Sequence, residues 1–301
     1  MSRQFRILIF SDVAAWSGYK KLVSYHKPKV ILLVGDLTSD GFATFWRGAF
    51  ERIPVFKKRR NKLAQDFGVV IRPDGLFEVK ASGRWEQFSD ELDVLEKQYR
   101  DSAEFHAARK TLHVRPFLDF LRFAGQTATV FVVKGDHDDD FPGDYDPEQI
   151  DRIHGCLEIS GKLAEAHGLR FLGLGFKETH YKTTLREFVN GFRDKVDVVV
   201  THCEQSRLPM LSQLQPRLIA RGHFVFGRFL VNGIPSVFTG GIYYSLAEVG
   251  RSVSLAQYRQ PSGNQSRPSK FDGADCRPWR SDRSEFDLYS WLKPYPAGDR
   301  E

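Results

Sequence analysis

The sequence predicts an α/β fold of two β-sheets packed on one another, flanked by helices, with an inserted cap and a flexible C-terminal tail. Three observations predict it. Short, nearly all-apolar runs such as KVILLV (29–34) and TATVFVV (127–133) are strands of the kind buried on both faces. The early runs are followed by polar or glycine-rich loops and helical stretches, the repeating pattern of βαβ units with parallel pairing. Past residue 156 strand-like segments dominate, which suggests a second sheet packed on the first.

FRILIF (5–10) is the first strand, and a helix follows over Tyr19–His26, ahead of Pro28. KVILLV is the second strand. The stretch 42–115 is longer than one connecting helix needs. It holds a basic run, KKRRNK (57–62), a hairpin VVIRPDGLFEV (69–79) with Pro-Asp-Gly at its turn, and a charged helical stretch from Glu86 to Lys110. It reads as a cap on the ligand-bearing side, where insertions set substrate choice. CLEIS (156–160), KLAEA (162–166) and LRFLGLG (169–175) are short strands, a helix over Thr183–Phe192 precedes VDVVVTH, and strands run from Leu218 to Leu255. From Gln260 the chain turns rich in Ser, Pro, Arg and Asp and has little to bury, although YSWLKPYP (289–296) is apolar enough to dock. The expected division is one domain over 1–258, containing the insertion, and a mobile tail over 259–301.

With 301 residues, 41% hydrophobic and 27% charged, the chain has the composition of a soluble globular protein. Its apolar runs are too short to cross a bilayer, and the N-terminus enters a strand without a signal-peptide pattern. A cytoplasmic location without membrane contact is therefore expected. Three cysteines without paired spacing argue against disulfides, and Cys203 reads as a reduced thiol pointing away from its neighbour His202. A net charge of +6 makes an anionic partner plausible: a phosphate ester, a nucleotide or a nucleic acid.

Five segments place a carboxylate or imidazole where an apolar run gives way to polar chain. They are ILIFSDVAAW around Asp12, VILLVGDLTSDG around Asp36, VFVVKGDHDDD around Asp136 and His137, VVVTHCE around His202, and ARGHFVFG around His223. Strand ends are where open α/β sheets gather ligands. Each residue alone has a plainer reading. Asp12 or Asp36 would serve as a helix cap, with Asp40 a second candidate; His202 and His223 would serve as core histidines; Asp139, Asp140 and the KKRRNK run would be solvated surface. Taken together, the set favours coordination.

In order and spacing the five segments resemble the calcineurin-like metallophosphoesterase family, whose pattern is D-x-H, G-D, G-N-H-D/E, a lone His after a strand, and G-H-x-H. The match spans roughly residues 5–240. The resemblance implies two metal ions sharing Asp36. It also implies a first site from which two ligands are gone, because Ala14 and Val225 stand where histidines are expected. Asp12 and Asp36 remain there. The second site would be complete through Asp36, Asp136 (Asp in place of Asn), His202 and His223, a donor set that suits Mn²⁺, Fe²⁺ or Zn²⁺. His137 and Asp138 match the family's catalytic pair, the imidazole protonating the leaving oxygen and the carboxylate orienting the ring. The expected activity is hydrolysis of a phosphomonoester or phosphodiester with one strongly held metal. The alternative is a catalytically eroded scaffold of the same fold that binds protein or nucleic acid. His180 lies in a loop within possible reach of the site.

Overall fold

The computed structural model describes residues 5–13, 16, 18–38, 49–71, 77–79, 84–139, 143–193, 195–223, 227–238, 243–249, 252–259, 269–271 and 277–278. Ala14, Asp40, Asp140, Val225, Cys276, the Pro-Asp-Gly turn and the YSWLKPYP cluster lie outside the described residues.

The strands are β1 (Phe5–Phe10), β2 (Val30–Val34), β3 (Val69–Ile71), β4 (Phe77–Val79), β5 (Thr129–Val133), β6 (Cys156–Glu158), β7 (Leu163–Ala166), β8 (Leu169–Leu174), β9 (Val198–His202), β10 (Leu218–Gly222), β11 (Gly227–Val231), β12 (Ile234–Phe238), β13 (Tyr243–Val249), β14 (Val253–Arg259), β15 (Ser269–Phe271) and β16 (Arg277–Pro278). Fourteen of them form two seven-stranded sheets, ordered β15-β14-β13-β1-β2-β5-β6 and β16-β11-β12-β10-β9-β8-β7, and β3 and β4 pair separately. Parallel pairing joins β1, β2, β5 and β6 in the first sheet and β8, β9, β10 and β12 in the second. The expected two-sheet α/β architecture is what the chain adopts.

Strand alternation explains why β2 is apolar throughout. Val30, Leu32 and Val34 face the second sheet, in a layer shared with Ile7, Ile9, Phe131, Phe171, Val198, Val200 and Leu218. Ile31 and Leu33 face the other way, into a layer shared with the helices α1 (Tyr19–His26), α5 (Arg115–Ala124) and α6 (Pro147–Asp151). The outer face of the second sheet is covered by α8 (Lys182–Phe192) and α9 (Leu208–Leu211) through Leu185, Val189, Leu208 and Leu211.

The stretch between β2 and α5 builds a core of its own. Its helices are α2 (Pro54–Phe67), α3 (Trp85–Arg100) and α4 (Ala103–Arg109), with β3 and β4 paired antiparallel, Val69 opposite Val79. Phe50 stacks on both Phe56 and Phe105, with ring centroids 4.5 and 4.3 Å apart. The charged stretch expected as one helix is two, because the Ser102 side chain caps a new start by accepting from the Phe105 N–H at 3.2 Å. The basic run lies on α2: Lys57, Lys58, Arg59 and Lys62 are exposed, whereas Arg60 is buried and paired with Glu51. Two pieces of the tail pair with the sheets, β15 along β14 and β16 along β11.

Candidate metal centre

Five parallel strands end at one place. Asp12 and Asp36 come two residues after β1 and β2, Asp136 three after β5, His202 closes β9, and His223 follows β10 directly. The site therefore sits at the carboxyl ends of strands from both sheets. Ligand-capable atoms of Asp136, His202 and His223 fall within 4.8 Å of one another; so do those of Asp12, Asp36 and His202, and those of Asp36, Asp136 and His137. All six residues that the sequence singled out near these ends are brought together.

The backbone turns sharply to do this. Asp12, Asp36 and His223 have φ of 49°, 53° and 84°, in the left-handed region. A residue with a side chain gives up about 1–2 kcal/mol there, and such residues cluster at functional sites. Asp and His both enter this region more often than most residues with a side chain, so all three positions carry residue types that suit it.

His202 is the best-fixed ligand candidate. It is fully buried, and its Nδ1 donates to the Val34 carbonyl at 2.8 Å. That bond sets the ring so that Nε2 faces Asp136 Oδ1 at 2.9 Å and Asp36 Oδ2 at 3.5 Å. Asp36 Oδ1 accepts the His137 backbone N–H at 3.0 Å, while its Oδ2 is buried and accepts no hydrogen bond among the described residues. His223 Nδ1 lies 3.6 Å from Asp136 Oδ1. Asp136, His202 and His223 form one three-donor group, and Asp36 joins it through His202 and Asp136, a carboxylate and imidazole set that fits a divalent cation.

The charges of the cluster agree. Burial raises Asp36 to about 6, against the pull of His202 and with the help of Asp12 and Asp138. Burial also works to raise Asp136, but hydrogen bonds from His202 and His223 and the nearby His137 hold it well below the ordinary carboxylate range. Burial disfavours a charged His202, yet Asp36, Asp136 and Asp12 more than offset this and drive its pKa well above the ordinary histidine value. A cation held there would offset the same carboxylate charge.

His137 follows Asp136 on a short 3₁₀ turn, with its Nε2 3.5 Å from Asp136 Oδ2 and its side chain part-exposed at 29%. Asp138 is fully enclosed, and its bonds run elsewhere than to that ring. Its Oδ1 accepts from Leu37 N at 2.7 Å, Thr38 N at 2.9 Å and Thr38 Oγ1 at 3.1 Å, and its Oδ2 accepts from Gly135 N at 2.9 Å. It braces the Asp36 loop against the Asp136 loop. Burial raises its pKa, opposed by the Thr38, Gly135 and Leu37 amides.

Sequence reading missed Ser11, whose Oγ lies 2.8 Å from the Val34 carbonyl and also bonds Asp12 Oδ2. It also missed Phe176 on α7 (Phe176–His180), whose half-buried ring is 6.4 Å from His223. His180 is on that helix and stands 5.1 Å from Phe176 rather than among the ligands. Cys203 is fully buried on the outer face of the second sheet, where burial raises its thiol pKa, as fits an inert reduced cysteine. No helix among the described residues is long and apolar enough to cross a membrane.

No protein-family model matches the chain, and no curated protein matches it. Solved structures do. TT1561 of Thermus thermophilus matches at 11% identity and a TM-score of 0.47, over 84% of this chain and 98% of that one. GAP50, the anchor in the inner membrane complex of Plasmodium, matches at 10% identity and a TM-score of 0.45, over 91% of each chain. Another crystal structure matches at 13% identity and a TM-score of 0.49, over 86% of this chain and all of its own. Likeness this distant leaves function to the geometry of the centre itself, a buried Asp/His cluster able to hold a metal ion.

Proposed function

We propose that this chain is a metal-dependent phosphoesterase in which Asp36, Asp136, His202 and His223 hold one divalent ion, Mn²⁺, Fe²⁺ or Zn²⁺ by donor type. The observation that supports the reading is the grouping of Asp136, His202 and His223 from two sheets, with His202 Nε2 turned toward both Asp136 and Asp36 by its bond to Val34. When bound, the ion supplies polarisation of a phosphoryl oxygen and activation of a water. His137 is the part-exposed imidazole beside the cluster, and it gives its proton to the leaving oxygen, a contribution of about 10²- to 10⁴-fold. Its backbone N–H is tied to Asp36 Oδ1, so acid and ligand keep a fixed relation. Asp138 acts through position, holding the two ligand loops at one spacing.

The substrate is a phosphomonoester or phosphodiester. The exposed lysines of α2 favour a nucleotide or nucleic acid among these. Hydrolysis of p-nitrophenyl phosphate and bis(p-nitrophenyl) phosphate with added Mn²⁺ tests the reading, with His202→Ala as control. Metal-dependent turnover that the control abolishes is expected. Turnover indifferent to the metal or surviving in the control defeats it. A chain that retains metal but hydrolyses neither ester returns the case to an eroded scaffold.

A further inference from the structure

Asp12 is buried at 2% exposure and holds a left-handed φ of 49°. Its Oδ2 accepts two hydrogen bonds, one from the Ser11 hydroxyl and one at 3.2 Å from the backbone N–H of His223. Ser11 Oγ is also 2.8 Å from the Val34 carbonyl, the same oxygen that receives His202 Nδ1. The Asp12 backbone N–H donates to Gly35 O at 3.1 Å, and Val13 N–H to Asp36 O at 3.2 Å. Asp12 thus joins the ends of β1, β2 and β10 at the point where His223 leaves its strand.

His223 needs such a tie. A φ of 84° is costly for a histidine, by about 1–2 kcal/mol, and persists only where the surroundings fix it. Its backbone N–H held by a buried carboxylate is the fixing contact, and the imidazole then stands toward Asp136. Direct ligation by Asp12 is the competing role, since its carboxylate, Asp36 and His202 have ligand atoms within 4.8 Å of one another. The His223 amide engages Oδ2, so ligation would fall to the other oxygen of the carboxylate.

We infer that Asp12 is a positioning residue that sets the His223 imidazole through its backbone amide. The inference rests on the metal-centre reading above.

The roles separate by substitution, read as Mn²⁺ affinity and stoichiometry by titration calorimetry on the full chain. Asp12→Asn keeps an oxygen that can accept the His223 N–H but carries no charge. A positioning role predicts affinity within about threefold of the wild type and one ion per chain, whereas Asp12→Ala loses about 10- to 100-fold, as supporting partners of ligands do. In a His223→Ala background, adding Asp12→Ala costs nothing further, because the residue it acts through is gone. Loss in Asp12→Asn as large as that in Asp12→Ala overturns the inference. If Asp12→Ala does not fold, Asp12→Asn alone decides. A wild-type chain that binds no Mn²⁺ defeats the metal-centre reading and this inference with it, whereas binding by the wild type lost in Asp12→Asn sinks only the role of Asp12.

Discussion

Gly35 has no room for a side chain. A Cβ there would sit 2.3 Å from His202 Nδ1, and the residue's φ of 77° is one that side-chain-bearing residues avoid. Gly222, across the site, would bring a Cβ to 2.7 Å from the same nitrogen and 2.1 Å from the Val34 oxygen. The two glycines let backbone close on both sides of the Nδ1–carbonyl bond that orients the ligand. Gly35→Ala is therefore expected to lower stability by more than about 1 kcal/mol and to release metal, checked by urea midpoint and by metal content after dialysis. The glycines ahead of Asp36 and His223 were visible in the sequence as parts of motifs, but their reason, a histidine packed against bare backbone, is a fact of three dimensions. The ligand candidates were legible because a lone carboxylate or imidazole ending an apolar run is conspicuous. Ser11 and the bracing bonds of Asp138 were not, since hydroxyls and amides are too common near strand ends to signal anything.

At the scale of elements, an ion pair joins the insertion to the chain that follows Asp136. Arg109 ends α4, is 2% exposed, and gives Nε and Nη2 to Asp144 Oδ2 at 3.0 and 2.8 Å. Asp144 lies eight positions beyond Asp136 in the sequence, on the chain leaving the site. Arg109→Met strips the guanidinium from a mostly buried carboxylate and should cost about 2–4 kcal/mol, with part of it regained when Asp144→Leu is added, measured as urea midpoints in a double-mutant cycle. The strands were the most legible elements, because continuous apolar runs bounded by polar chain admit few other readings. Helix boundaries were less so: the break at Ser102 depends on a capping bond, and the π-helical turn Lys110–Val114 that carries α4 into α5 has no sequence signature.

Over the whole molecule, two buried histidines away from the site set an acid limit. Burial, helped by Arg6, lowers His26 from 6.5 to about 4, where it bonds Tyr244 Oη at 2.8 Å; burial with Arg109 and Arg52 lowers His113 to about 4 as well. Between those values the unfolded chain binds more protons than the folded one, so stability is full above pH 6.5 and falls as pH drops toward 4. The loss is on the order of a few kcal/mol for the pair, and His113→Gln should flatten the fall in urea midpoints between pH 7.5 and 4.5. The two-sheet plan was legible in the sequence from strand count and parallel pattern. The ties between sheets and tail were not, because β15 and β16 lie in a stretch whose composition gives no reason to expect pairing. Those two short strands lie against the rims of opposite sheets, so one surface segment shields two rows of backbone donors and acceptors that would otherwise recruit strands from other molecules. A chain cut after Arg259 should keep its centre yet stick to itself, eluting as growing oligomers in size-exclusion chromatography, and a cut chain that stays monomeric would show those rims to be harmless when bare.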